Sequence, residues 1–358
     1  MLDPMVGAGT TVEVALEEGR RAIGLDINPI SPLVAGFLHM ACFDTEQDAQ
    51  LGFYQEVVSK AFDNSEAEGV ALPERAEFHN WKLWFRPEVL RELLLLRQYI
   101  DRCSDPLVRR FLKLALSRIC KPVSNADPRD LFPQRDQENL VRPRENVCTH
   151  MLASIDKLRA LVEAIPEEAY HSLLGRADVR HLPLRDNSVD LVFFSPPYSY
   201  ALEYARVHQL SLSVLGMERI PLRDHRRQYI GTDKVRSNAE LPRAFVQEYH
   251  DIIRLVVAKD EKWGRLFSFY LHGMQQLLLE CARVVRPDSF VGIVLGNTKL
   301  RGSTMAIDRI VMRMAQKLGL ELEFKYERPY YRRRLNPKRN RHSARIDADV
   351  FVVLRKIA

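Results

Sequence analysis

Two apolar periods alternate along the chain, one of helices and one of buried strands. Residues Leu2 to Thr11 (LDPMVGAGTT) read as the end of a strand and a glycine turn, followed by a helix carried by Val12, Val14, Ala15 and Leu16. Gly19 closes that helix, and Arg21 to Asp26 (RAIGLD) forms a second short buried strand. Strand, helix and strand in succession are the unit of a parallel sheet. From about Phe43 to Ala169 the pattern turns helical, with helix starts at Arg86-Pro87 and Asp105-Pro106. Proline there takes the first helical position, where no N–H is needed, and Asp105 can cap. Strand-like sequence returns at Ala177 to Val179 and at Val189 to Phe194 (VDLVFF), which runs into Ser195-Pro196-Pro197-Tyr198. A polar, charged stretch follows over roughly 199–263. After it come a helix from about Phe267 to Val284, a turn at Arg286-Pro287-Asp288, and a strand from Phe290 to Leu295 ending at Gly296-Asn297. A helix from Met305 to Leu318 and a last strand from Asp349 to Leu354 complete the pattern. The sum predicts a doubly wound α/β sheet with core segments 1–42, 171–198 and 264–358, a helical insertion over 43–170 and a second, smaller insertion over 199–263.

With 358 residues and 46% hydrophobic content, the chain can bury a full core. Its longest apolar runs, such as Leu93 to Leu96 and Val350 to Leu354, fall far short of the roughly 20 residues a membrane-spanning helix needs. The N-terminus lacks the basic-then-apolar pattern of a secretion signal, so a cytoplasmic protein is expected, with no membrane partner. Five cysteines (Cys42, Cys103, Cys120, Cys148, Cys281) are odd in number and never in CxxC spacing, which argues against a disulfide framework or a metal centre. The net charge of +6 is mild, but the basic residues cluster. Residues Arg328 to Arg345 (RPYYRRRLNPKRNRHSAR) interleave cations with Tyr330, Tyr331 and His342, and predict phosphate contacts from Arg332, Arg333, Arg334, Lys338, Arg339 and Arg341. The plainer reading of such a run is a solvated face. A smaller patch of the same kind spans Arg223 to Tyr229.

Ligands of open parallel sheets bind outside the carboxyl ends of the strands, and two segments here lie at such ends. Gly7 and Gly9 let backbone approach a ligand, and the helix after them offers unpaired N–H groups. Asp26, at the end of the second strand, can accept two hydrogen bonds from ribose hydroxyls, which suits an adenosyl cofactor. Val12 stands where a dinucleotide fingerprint wants a third glycine, which disfavours a pyrophosphate. At the other segment, Pro196 and Pro197 force a rigid, extended turn. The exocyclic amine of a nucleobase is a poor nucleophile, because its lone pair is delocalised into the ring. The Ser195 side-chain oxygen and the Pro196 carbonyl can accept both amine hydrogens and turn that lone pair out of the ring plane, while Tyr198 stacks on the base. Taken singly, each segment also reads as an ordinary tight turn.

Taken together, Asp3-Pro4-x-x-Gly7-x-Gly9-Thr10-Thr11, Asp26-x-Asn28-Pro29, Asp178 ahead of Leu182-Pro183, and Ser195-Pro196-Pro197-Tyr198 resemble the amino-methyltransferase family of DNA methyltransferases. The similarity continues in Arg283 to Pro287, Gly296-Asn297-Thr298 and Asp349 to Lys356, so it covers the sheet-forming parts and neither insertion. The resemblance implies a Rossmann-like methyltransferase sheet and S-adenosylmethionine as cofactor. It implies that the glycine turn (Asp3, Pro4, Gly7, Gly9, Thr10, Thr11) holds the methionine part, Asp26 the ribose and Asp178 the adenine amine, with Asn28 also among the cofactor-binding residues. Ser195, Pro196, Pro197 and Tyr198 become the catalytic residues. A serine in the first position usually accompanies cytosine N4 methylation in this family, and an acidic residue adenine N6. The expected partners are double-stranded DNA with a base flipped out and a cognate restriction endonuclease. Adenine-N6 methylation, RNA base methylation and a non-catalytic nucleic-acid-binding role stay open as alternatives. A cytosine-C5 enzyme does not, since no cysteine follows a proline or sits at a strand-end turn. Met5 and Ala8 stand where the family commonly has Phe and Ser, and the cofactor motif precedes the catalytic one, the reverse of most SPPY enzymes. Only Met1 and Leu2 precede Asp3, where the family has a helix and a full first strand, so either upstream codons or another segment is expected to complete the cofactor pocket.

Overall fold

The computed structural model describes residues 1–37, 45–63, 66–74, 80–127, 132–134, 146–163, 172–198, 204–217, 222–235, 249–300, 303–329 and 348–357. In chain order the described elements begin with β1 (Leu2–Asp3), α1 (Thr10–Glu17), β2 (Ala22–Asp26) and α2 (Ile30–Ala35). The helices α3 (Thr45–Asp63), α4 (Trp81–Trp84), α5 (Pro87–Asp101), α6 (Pro106–Ile119) and α7 (Val147–Glu163) follow. Then come β3 (Ser172–Arg176), β4 (Val189–Phe194), α8 (Tyr204–Val207), α9 (Gln209–Leu215), α10 (Leu222–Arg227), α11 (His250–Lys259) and α12 (Glu261–Val284). The chain closes with β5 (Val285–Gly296), β6 (Thr298–Leu300), β7 (Ser303–Met305), α13 (Ile307–Gln316), β8 (Leu320–Pro329) and β9 (Ala348–Lys356). These elements form two compact units: Met1–Ile27, His171–Glu203 and Arg226–Ala358 make up the first, and Asn28–Tyr170 and Tyr204–His225 the second.

The first unit is built on a seven-stranded sheet in the order β3-β2-β1-β4-β5-β9-β8. Strands β1 to β5 pair in parallel, and β9 runs antiparallel to both β5 and β8. The chain winds outward from β1 to β3, then returns to place β4 on the other side of β1, which makes this a doubly wound, Rossmann-like sheet with its switch point between β1 and β4. Strands buried on both faces have to be apolar, and Leu2, Leu25, Val192, Phe194, Val291, Ile293, Val352 and Leu354 supply that core. Helix α12 packs Phe267, Leu271, Met274, Leu278 and Cys281 into the same core at helical spacing. Each large apolar side chain so buried contributes about 1.5–3 kcal/mol. Asp260 starts this helix by accepting from the Trp263 N–H at 3.2 Å, well ahead of the apolar run at Phe267 that the sequence marks as its start.

Two strand expectations are corrected. The strand placed at Ala177 to Val179 is instead Ser172–Arg176, which pairs residue by residue with Ala22–Asp26. Ala177 still donates to the Asp26 carbonyl, but the Asp178 carboxylate then accepts the Arg180 N–H at 3.0 Å and the chain turns away. The turn expected at Arg286-Pro287-Asp288 lies inside β5 as a bulge. Val189 pairs with Val285 and Leu191 with Phe290, and the extra residues are accommodated by Asp288 at φ 59° beside a proline that has no N–H to give a ladder. Strand β8, which no sequence pattern marked, is exposed along almost its whole length.

The second unit is helical. Pro87 and Pro106 open α5 and α6, and the Asp105 carboxylate caps α6 by accepting from the N–H groups of Leu107 at 2.7 Å and Val108 at 2.9 Å. Leu90, Leu93, Phe111, Leu112, Met151 and Ile155 are buried in one shared core. No helix among the described residues is long and apolar enough to cross a membrane.

Candidate active site at the carboxyl edge of the sheet

The loop between β1 and α1 is shaped by two glycines in the left-handed region, Gly7 at φ 51° and Gly9 at φ 98°. Gly9 precedes α1 and has no side chain to cap it, so the helix presents its first N–H groups at the sheet edge with no side-chain cap on them. The Asp26 carboxylate, at the end of β2, accepts the Gly7 N–H at 3.0 Å through Oδ2, which ties the two strand ends together. Asp3 is almost wholly buried under this turn, where its Oδ1 accepts from the Met5 N–H at 2.9 Å. Burial pushes the Asp3 carboxyl up to about 6, against the hydrogen bonds from Thr11 and Met5 that favour its ionised form, and the neighbouring Asp26 charge adds to the rise. Pro4 is buried, Thr11 half-buried and Thr10 exposed. Asn28 opens the second unit, where its Oδ1 accepts from the Ile30 N–H at 3.2 Å in the turn ahead of α2.

Asp178 follows β3 at the same edge. Its carboxylate is gripped by Arg180, with Nε to Oδ1 at 2.9 Å and Nη2 to Oδ2 at 2.5 Å. Burial alone would raise this carboxyl, yet the hydrogen bonds and charge of Arg180 hold it below the usual aspartate range. The same guanidinium donates to the Gln228 carbonyl at 2.9 Å. The segment that begins there runs on to Gly231, which packs beside Tyr270 and Pro197. Arg180 therefore links the end of β3 to the surroundings of the proline turn after β4.

That proline turn follows β4 directly. Pro196 is buried, and the Ser195 Oγ donates to the Val294 carbonyl of β5 at 3.3 Å. A hydroxyl has one hydrogen, so this bond commits it and leaves the Ser195 lone pairs as acceptors. Tyr198 is half-buried, and its Oη donates to Asp349 Oδ1 at 3.0 Å. Asp349 stands at the start of β9, which the antiparallel direction of that strand brings to the carboxyl edge of the others. Its Oδ2 accepts from Arg328 Nη2 at 2.8 Å.

Asp3, Gly7 and Asp26 are thus joined directly by hydrogen bonds or by the β1–β2 pairing, and β1 and β4 are neighbours, so the glycine and proline turns flank the switch point. Arg332, Arg333, Arg334, Lys338, Arg339 and Arg341 lie outside the described residues. The sequence does not single out Arg180, and it presents Arg328 and Asp349 only as the start of the basic run and of the last strand. A charged residue opening the otherwise apolar run Val350 to Leu354 is the one signal from which a site role for Asp349 could have been suspected. Among the described residues no group of three or more His, Cys, Asp and Glu side chains is gathered for a metal.

No family model matches the chain. Curated proteins align with most of it. The Type II methyltransferase M.BsoBI of Geobacillus stearothermophilus is 21% identical, over 90% of this chain and 73% of its own length. The Type II methyltransferase M.MvaI of Kocuria varians is 20% identical, over 99% of this chain and 84% of its own. Among solved structures, a candidate DNA modification methylase of Thermus thermophilus complexed with S-adenosyl-L-methionine is similar at a TM-score of 0.27, with 15% identity over 51% of this chain and 54% of that one. Alignments that run through nine-tenths or more of the sequence make the chain a homologue of Type II DNA methyltransferases, in keeping with the amino-methyltransferase family that its glycine and Ser-Pro-Pro-Tyr turns resemble.

Proposed function

We propose that this protein is an S-adenosylmethionine-dependent DNA methyltransferase that modifies an exocyclic amino group, and that the group is the N4 of cytosine. The observation that carries the reading is the pair of turns flanking the switch point, one shaped for close backbone approach and the other presenting a fixed acceptor oxygen. The first fits an adenosyl group: Asp26 is held at the ribose-binding end of β2, Gly7 and Gly9 keep Cβ atoms out of the turn, and the α1 N–H groups face a carboxylate-bearing ligand. Asp178 is the acceptor for the adenine amine, and Arg180 holds its carboxylate. When bound, the cofactor supplies an electrophilic methyl group on a sulfonium.

The chain's own residues prepare the nucleophile. Ser195 Oγ, its hydrogen already given to Val294, accepts one amine hydrogen, and the Pro196 carbonyl accepts the other. Both bonds strengthen as the nitrogen becomes tetrahedral, so they favour the transition state over the ground state. No covalent bond to the protein is needed. Tyr198 stacks on the base once it leaves the duplex. Serine accepts more weakly than a carboxylate and carries no charge, which suits cytosine better than adenine. Arg332, Arg333, Arg334, Lys338, Arg339 and Arg341, in the stretch of chain that joins β8 to β9, are the proposed phosphate contacts. Both ends of that stretch, Pro329 and Ala348, pair with one another at the sheet's carboxyl edge. A cognate restriction endonuclease is the partner this role implies.

Nucleoside mass spectrometry of DNA from cells expressing the chain tests the reading directly. N4-methylcytosine is expected. N6-methyladenine without it would replace the cytosine assignment, and unmodified DNA, with no S-adenosylmethionine bound in titration calorimetry, would remove the enzyme.

A further inference from the structure

The Tyr198 ring is fastened at both ends. Behind it, Pro196 and Pro197 stiffen the backbone. At its tip, the phenol donates to Asp349 Oδ1 at 3.0 Å, across 151 residues of sequence. Asp349 is 5% exposed, and a buried carboxylate is expensive unless its oxygens are matched by donors. Tyr198 supplies one of these donors and Arg328 another, at 2.8 Å to Oδ2. Arg328 is itself set by the sheet. It pairs with Asp349 across the β8–β9 ladder, and its guanidinium lies over the Phe351 ring, 5.4 Å from the centroid. Arg328 brings a positive charge to Oδ2, and a carboxylate acts only as an acceptor, so the phenol donates and its hydrogen bond runs in one sense.

A tyrosine that merely packed would need none of this, whereas one that serves as a platform for a flat ring gains from having its plane set in advance. We infer that Asp349, backed by Arg328, is a positioning residue that holds the plane of the Tyr198 ring for stacking on the target base. The inference rests on the methyltransferase reading above. The role assigned to Asp349 is exerted through Tyr198, whose phenol it holds.

The test is a double-mutant cycle of Asp349→Asn and Tyr198→Phe in the full chain, with single-turnover methylation of a DNA substrate and S-adenosylhomocysteine binding both measured. Asp349→Asn is expected to lower the methylation rate by about 10-fold with S-adenosylhomocysteine affinity unchanged. Tyr198→Phe should lower it similarly, and the double variant should be no worse than either single one. Losses that multiply, or an undiminished rate in Asp349→Asn, overturn the inference. Should Asp349→Asn fail to fold, Tyr198→Phe alone decides, since it removes the phenol and keeps Asp349, and an undiminished rate there overturns it equally. A 3-fluorotyrosine in place of Tyr198 separates this inference from the functional reading. Its fluorine resonance should shift and broaden on Arg328→Gln whether or not DNA is modified, and an unmoved resonance counts against the anchor. A wild-type chain that methylates no base while that resonance moves overturns the methyltransferase reading and supports the anchor.

Discussion

The two turns at the switch point solve opposite problems with opposite residues. After β1 the chain uses Gly7 and Gly9, both at positive φ, and what it offers a ligand is mainly backbone. After β4 it uses Pro196 and Pro197, and what it offers is a carbonyl on a stiffened backbone together with one hydroxyl and one ring, the last two each tied by a hydrogen bond to a different strand, Ser195 to β5 and Tyr198 to β9. A cofactor present in every turnover can be held by shape, whereas a base that arrives from outside must meet groups already in place. The contrast implies that substitutions at the proline turn fall on rate and those at the glycine turn on binding and stability.

The sharpest way to break that contrast is Ser195→Ala. Loss of one positioned acceptor is expected to reduce turnover by ~10- to 1,000-fold with little change in cofactor affinity, measured by single-turnover kinetics beside titration calorimetry. A fall in affinity of the same size would erase the distinction. Next comes Asp3, whose carboxyl lies above its ordinary 3.8 at about 6. In the pH range between those values the folded state holds a proton that the unfolded chain has released, so stability is greatest below that range and is lost as pH rises through 6. Asp3→Asn removes the titration and should gain on the wild type between about pH 4 and about pH 7.5 by on the order of 3 kcal/mol in denaturant melts. A constant difference across that range would show that Asp3 does not titrate there.

Asp26→Ala should weaken S-adenosylmethionine binding by about 1–3 kcal/mol, because it removes both the proposed ribose acceptor and the partner of the Gly7 N–H. Unchanged affinity takes Asp26 out of the site. The smallest effect per residue is expected from the arginine cluster. Replacing Arg332, Arg333, Arg334 and Arg339 with alanine should flatten the log–log salt dependence of duplex binding by about 0.9 for each phosphate that is no longer neutralised. An identical slope would mean that the cluster faces solvent.

Much of this was legible in sequence because it is local. The strand–turn–helix of residues 2–17 and the Asp105-Pro106 cap are set by neighbours within a few positions, and the structure has them where the pattern puts them. The strand after the helical insertion was misplaced because Ser172–Arg176 carries a glycine and an arginine with little alternation, and only its pairing with β2 selects it over Ala177 to Val179. Arg286-Pro287-Asp288 looks like any turn, and only the partner strand β4 shows that it is a bulge. The link of Asp349 and Arg328 to Tyr198 could not be read, since it depends on a strand order that brings β9 and β8 beside β5, far along the chain from Tyr198.

The connection between two neighbouring strands of the sheet contains most of a folded unit. Strands β2 and β3 pair directly, yet the chain between them runs from Ile27 to His171. Loop-closure entropy grows only logarithmically, by about 0.6 kcal/mol for each doubling of length, so the insertion costs the sheet little at equilibrium. Its larger consequence is kinetic: β3 cannot pair with β2 until that long segment has been synthesised, and a pairing across so large a sequence separation forms slowly. Until then the apolar run Ala22–Asp26 is an open edge, ready to pair with the wrong chain. Damage to the helical core around Phe111 and Leu112 would therefore surface as aggregation through β2, at a strand that none of those side chains belongs to.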